Sequence, residues 1–204
     1  MLFTSLLKRS SRVALLSSAM ALVLSCSVVP STTSTSLLNH RAAVDFTGLR
    51  PARMIDTIKA SVTSPVGWDR LVTQRAALYT HEQWRSPSMQ TGVGCAYIRM
   101  PLPFSADTIC WLARQEYAKQ SKHGDGGKIT SNWTDNLGRV WFEGENKRYH
   151  VRGYVVTHGF EAWIVYFGYR VPSTPDPGEL SVAMRSLEAI VPSLPQSAPQ
   201  IARK

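Results

Sequence analysis

The sequence predicts an α+β fold: an antiparallel β-sheet of about six strands covered by helices on both faces, an α/β/α sandwich. Three observations carry this. Four strand-like runs between residues 128 and 170 follow one another across short turns, and strands joined that way run antiparallel. The last run, Glu161–Arg170, places Trp163, Val165, Phe167 and Tyr169 on one face and Ala162, Ile164 and Tyr166 on the other. A sheet with one face in water alternates apolar and polar residues, so a strand apolar on both faces requires cover on both. Amphipathic helices with recognisable caps supply that cover.

Residues 1–25 contain Lys8, Arg9 and Arg12 and no acid, followed by an apolar run from Val13 to Leu24. This is the form of an export signal. A membrane-crossing helix needs about 20 apolar residues; the run is shorter, and Ser17 and Ser18 interrupt it. Residues 26–44 are rich in Ser and Thr without helical period and read as a flexible tether. Residues 45–192 form a single domain, long enough to bury a real core. Residues 193–204, with recurrent proline, read as a disordered tail.

Within the domain, Met54, Ile55 and Ile58 suggest a short helix near Pro51–Ala60. Strands are expected over Ala76–Trp84 and Val93–Met100, around a loop containing Ser86-Pro-Ser88. After Pro101-Leu-Pro103 a helix starts with Ser105 as N-cap and places Ala106, Ile109, Cys110, Ala113 and Tyr117 on one face. It stops before His123-Gly-Asp-Gly-Gly127, a loop by composition. Lys128–Thr134 and Arg139–Gly144 are joined by Asp135-Asn-Leu-Gly138, strong turn chemistry. Arg148–Thr157 and Glu161–Arg170 form a hairpin through Thr157-His-Gly-Phe160. The last helix opens on Asp176 as N-cap, Pro177 at N1 and Glu179 at N3, a capping-box arrangement. Its apolar stripe is Leu180, Ala183, Met184, Leu187 and Val191, and Pro192 ends it.

Val23-Leu24-Ser25-Cys26 resembles the lipobox of bacterial lipoproteins: an aliphatic residue at −3, a small one at −1, then cysteine. The resemblance implies diacylglyceryl transfer to the Cys26 thiol, cleavage just before it, acylation of the new amino group, and attachment to the lipid bilayer. Ser27 is not aspartate, which in double-membrane bacteria implies sorting to the outer membrane of the cell envelope. Trp84-Arg-Ser-Pro87, Val140-Trp-Phe142, and Trp163-Ile-Val-Tyr166 ahead of Ser186-Leu187, in this order of elements, resemble the PsbP-like superfamily. That family includes the eukaryotic Ran-binding Mog protein and many exported bacterial proteins. The resemblance, over about residues 66–191, implies a non-enzymatic binding or assembly role.

The 204 residues are 44% hydrophobic and 18% charged, which excludes a wholly disordered chain. Net charge is +9, and loss of the three leader cations makes it +6. Nucleic-acid binding, the usual reading of such charge, is disfavoured by export and by the absence of a dense Lys/Arg run. An oxidising exported compartment favours a disulfide between Cys95 and Cys110; the alternative is two buried thiols acting as small apolar fillers. No histidines stand at i, i+4 on a helix as zinc proteases require, no serine lies in a G-x-S-x-G elbow, and Gly124–Lys128 lacks a phosphate loop's closing Lys-Ser/Thr. No catalytic residue, metal or cofactor is therefore assigned. The remaining candidate is basic and aromatic: Arg139, Arg148 and Arg152, with Trp133, Trp141 and Tyr149 interleaved, as a patch for an anionic ligand. The function expected is a membrane-anchored, non-enzymatic binding or envelope-assembly domain with an envelope protein partner. The alternative is an exported hydrolase-type enzyme with a dispersed site.

Overall fold

The chain divides into two units, Met1–Pro30 and Ser31–Lys204. The structure, a computed structural model, describes residues 34–75, 79–112, 128–171 and 173–194, all in the second. The leader and lipobox with Cys26, residues Ala113 and Tyr117, and the 123–127 loop lie outside the described residues.

The second unit is α+β with two antiparallel sheets. In chain order the elements are α1 (Ser34–Ala42), β1 (Arg53–Ile55), β2 (Ala60–Val62), β3 (Asp69–Arg75), β4 (Tyr79–Arg85) and β5 (Thr91–Arg99). A helix α2, described over 106–112, follows. Then come β6 (Lys128–Thr134), β7 (Val140–Glu145), β8 (Tyr149–His158), β9 (Glu161–Arg170), α3 (Pro177–Ala189) and β10 (Val191–Pro192). The large sheet has the order β3-β4-β5-β9-β8-β7-β6, so β9 is its middle strand. That position is why β9 is apolar on both faces. Trp163, Val165 and Phe167 enter the core with Leu187 and Ala183 of α3, while Ala162, Ile164 and Tyr166 are buried on the reverse side. The small sheet, β1-β2-β10, and α1 add to the α3 side.

Turn chemistry behaves as the residues dictate. Asp135 Oδ1 accepts from Leu137 N at 2.9 Å and Arg139 N at 3.0 Å, and Gly138 takes a positive φ of 75°. Ser105 Oγ accepts from Thr108 N at 3.2 Å, capping α2. Asp176 caps α3 by accepting from Glu179 N at 2.9 Å.

Several expectations are corrected. The capping box is only half formed: the Glu179 carboxylate accepts from Ser88 Oγ at 2.5 Å and Ser88 N at 3.2 Å, so it ties the β4–β5 loop to α3. The 51–60 segment is no helix but a hairpin, β1 and β2, whose turn buries Ile58 and presents the Ile58 carbonyl to Trp163 Nε1 at 2.9 Å. The tether does not extend to residue 44, because α1 is helical and docked. Leu37 is buried in the core, His40 Nε2 lies 2.8 Å from Glu188 and Arg41 donates to Ser61 Oγ at 2.9 Å. Ser193 and Leu194, expected in the disordered tail, are ordered: Ser193 N donates to Lys59 O, and Leu194 is buried, while residues 195–204 lie outside the described residues. The large sheet has seven strands rather than six, because β3 pairs along all of β4. On α3 the buried residues are Ala183, Ser186, Leu187 and Ala189, with Ile190 buried at its C-cap, while Met184 is exposed. Ser186 tolerates burial because its Oγ donates to Thr63 O at 2.8 Å.

The disulfide is not formed. Cys95 and Cys110 are both free and buried. Cys95 belongs to the core on the α3 side, whereas the Cys110 thiol on α2 approaches Val140 O at 3.8 Å.

Candidate functional site

The anionic-ligand patch expected from Arg139, Arg148 and Arg152 is taken apart by the strand register. Arg139 precedes β7 and Arg148 lies in the turn after it, so a six-residue strand, about 20 Å, separates them. Arg148 is exposed in a turn built by Asn146, whose Oδ1 accepts from Arg148 N at 2.8 Å and Tyr149 N at 2.7 Å. Arg139 is 4% exposed and already engaged. Its Nε donates to Asp135 at 2.7 Å and its Nη1 to Glu188 at 3.0 Å, while its guanidinium carbon lies 4.9 Å from the Trp141 ring centre and 4.8 Å from that of Tyr154. Burial works to raise the Asp135 carboxyl, but hydrogen bonds from Trp141 Nε1 and Arg139 outweigh it and hold it below the ordinary carboxylate range. An arginine satisfied on both sides holds the fold together. It has nothing left for a ligand.

Arg152 is different. On the α3 side of the sheet, Trp133, Trp141 and Tyr154 form one cross-strand row through β6, β7 and β8. The two indoles are stacked at 5.8 Å and 6°, and Trp141 meets Tyr154 at 5.1 Å. Arg152 stands one row along, its guanidinium carbon 5.5 Å from the Trp133 ring and 5.4 Å from the Trp141 ring. Cation–π attraction therefore fixes a half-buried guanidinium whose N–H groups find no hydrogen-bond acceptor among the described residues. Its register partner is Glu143, which faces His150 Nε2 at 3.1 Å; His150 in turn stacks on Tyr169 at 4.9 Å. Trp133, on the edge strand, is 37% exposed. The site is an aromatic shelf with one cation, one carboxylate and an imidazole along its side.

A second constellation is buried and lies outside every sequence expectation. Tyr166 is in register with Gly94 of β5 and Gly153 of β8. A Cβ at Gly94 would stand 2.9 Å from the Tyr166 ring, so glycine is required for the ring to cross β5. The Tyr166 hydroxyl then shares a 2.5 Å hydrogen bond with His81 Nε2. Burial lowers His81 to about 4 from its ordinary 6.5. Between those values the unfolded chain binds a proton that the folded one refuses. Stability is therefore full above pH 6.5 and is lost as pH falls toward 4. Urea midpoints measured from pH 7.5 downward should fall through this window, and His81→Gln should flatten that part of the profile; an identical slope in the variant sinks the assignment. Next to it, Glu82 is fully buried and fully used, accepting from Thr57 Oγ1 at 2.6 Å and from Arg70 Nε and Nη2 at 2.8 Å each.

Neither free thiol is poised as a nucleophile: burial pushes Cys110 up to about 12 and Cys95 higher still. Among the described residues no group of three or more His, Cys, Asp or Glu side chains is placed to hold a metal ion, and no helix is long and apolar enough to cross a membrane.

No family model matches the chain, and no curated protein does. Among solved structures, a protein of Bacteroides thetaiotaomicron VPI-5482, determined at 1.50 Å, is similar at 9% identity with a TM-score of 0.31. The match covers 75% of this chain and 50% of that one, so this chain corresponds to about half of its length. A likeness at this level assigns neither activity nor ligand. The shelf around Trp133 and Arg152 was only partly legible in the sequence. The basic and aromatic residues stand out there, but which arginine is consumed and which is free follows from Asp135 and Glu188, one of them far along the chain.

Proposed function

We propose that this protein is a lipid-anchored exported protein whose α+β domain acts as a non-enzymatic binding module at the bacterial cell envelope, on the outer membrane of a double-membrane cell. The observation that carries the reading is the spacing between the lipobox cysteine and the docked helix. Cys26 stands eight residues before Ser34, where α1 begins. A chain extends at most about 3.6 Å per residue, so the tether spans no more than about 29 Å. A domain held that close to a bilayer works on something the envelope itself presents, whether a protein partner or another wall component. The Trp133–Arg152 shelf supplies the surface for it.

The finer fold reading, a sheet with helices on both faces in the manner of the PsbP-like superfamily, is supported by two features. Both faces of β9 are buried, and α2 brings in Ile109 and Cys110 as buried residues that do not belong to the core cluster built on α3. A binding role agrees with that resemblance.

Expressed in a bacterial host, the protein should partition with membranes and incorporate labelled fatty acid. Cys26→Ser should abolish the label. Undiminished labelling of the variant would remove the lipoprotein reading.

A further inference from the structure

Resting on the reading of a tethered binding module, we infer that the Trp133–Arg152–Glu143 shelf binds a neutral saccharide. The first reason is the unused cation. Arg41, Arg70, Arg139 and Arg185 each reach a side-chain acceptor, at Ser61, Glu82, Asp135 with Glu188, and Asp45 respectively. Arg152 is as firmly placed as these, against two stacked indoles, yet its fork of donors has no acceptor among the described residues. A rigid fork presented this way is preorganised to bind oxygen atoms of a ligand.

The second reason is the shelf itself. Trp133 is a large amphipathic ring, 37% exposed, on the outermost strand of the sheet. It is backed by Trp141 at 5.8 Å, so it cannot fold away on an apolar neighbour elsewhere. Flat apolar area at low entropic cost suits a ligand with an apolar face and a polar rim, and a pyranose has both.

The charge balance decides between ligand classes. Glu143 is paired directly opposite Arg152, and its Oε1 faces His150 while its Oε2 has no hydrogen-bond partner among the described residues. A phosphate or carboxylate drawn to Arg152 would be pressed against this carboxylate, and a cation drawn to Glu143 would meet the guanidinium. Neutral hydroxyls use both groups: they accept from Arg152 and donate to Glu143. The stacked indole then takes the C–H face of the sugar ring. This revises the expected anionic ligand to an uncharged one.

The test is isothermal titration of the full chain in detergent micelles with three neutral hexasaccharides: maltohexaose, cellohexaose and chitohexaose. Polygalacturonate and inorganic phosphate serve as anionic arms. Saturable binding of at least one neutral hexasaccharide is expected, weakened about tenfold or more by Trp133→Ala and by Arg152→Gln and unchanged by Arg148→Gln in the distant turn. Should Trp133→Ala lose its fold by circular dichroism, Glu143→Gln, which keeps the side-chain shape, carries the same tenfold criterion. Three results overturn the inference: no saturable binding of any neutral hexasaccharide up to about 10 mM, binding confined to the anionic arms, or binding indifferent to both shelf substitutions. Fatty-acid labelling at Cys26 reads the anchor separately, so lost saccharide binding with the label intact overturns the ligand class and leaves the tethered module standing.

Discussion

Replacing Arg139 with methionine should cost about 3 kcal/mol of folding stability, as expected when one partner of a buried ion pair is removed. The guanidinium joins three parts of the fold. It binds Asp135 in the β6–β7 turn, Glu188 on α3, and the faces of Trp141 and Tyr154 on β7 and β8. Methionine retains the apolar stem that lies on the rings but strands both carboxylates. The loss should sit at the lower end of the range for such changes. Asp135 keeps donors from Trp141 Nε1 and two backbone N–H groups, and Glu188 keeps His40 at 2.8 Å. Urea unfolding monitored by tryptophan fluorescence checks this. A change below about 1 kcal/mol would mean that the carboxylates are satisfied without the arginine, contrary to the account of the core edge given above.

What the sequence discloses and what it hides divide along physical lines. β9 is legible because a middle strand must be apolar on both faces, and Glu161–Arg170 is so over its whole length. The caps of α2 and α3 are legible because an N-cap is a local bond between residues three apart. β3 is hidden because it is an edge strand: Asp-Arg-Leu-Val-Thr-Gln-Arg shows no alternation, and Leu71 and Val72 are both exposed. With β3 goes its partner chemistry, the Arg70–Glu82 pair across β3 and β4. The β1–β2 hairpin imitates a helix because Met54, Ile55 and Ile58 fall at helical spacing, although it is a turn that carries Ile58 into the core. α1 is hidden by its Ser and Thr content; one buried Leu37 and two polar contacts hold it. For the site, residue types were visible and their register was not. Glu143 and Arg152 become neighbours, and Arg139 and Arg148 become distant, only once β7 and β8 pair.

The same distinction between pattern and partner gives the second large effect, on α3. Leu187→Ala should cost about 2–5 kcal/mol, the range for a buried leucine truncated to alanine, because Leu187 is 2% exposed and sits in the core with Trp163, Val165 and Tyr154. Met184 lies in the same sequence stripe but is 42% exposed, so Met184→Ala should change stability by no more than about 0.5 kcal/mol. The helix turns its Ala183–Ser186–Leu187 face inward. Small Ala183 lets it approach the sheet, Ser186 is bonded to Thr63 O, and the Tyr154 hydroxyl donates to Ile190 O at 2.8 Å just past its end. Those fixed polar contacts set the rotation of the helix about its axis, and the rotation decides which of two apolar residues is in the core. Paired urea curves for the two variants read this directly: the midpoint should drop for Leu187→Ala with an unchanged slope and stay in place for Met184→Ala. Equal losses for the two would mean that α3 rests on its whole apolar stripe and that its inward face is wrongly placed.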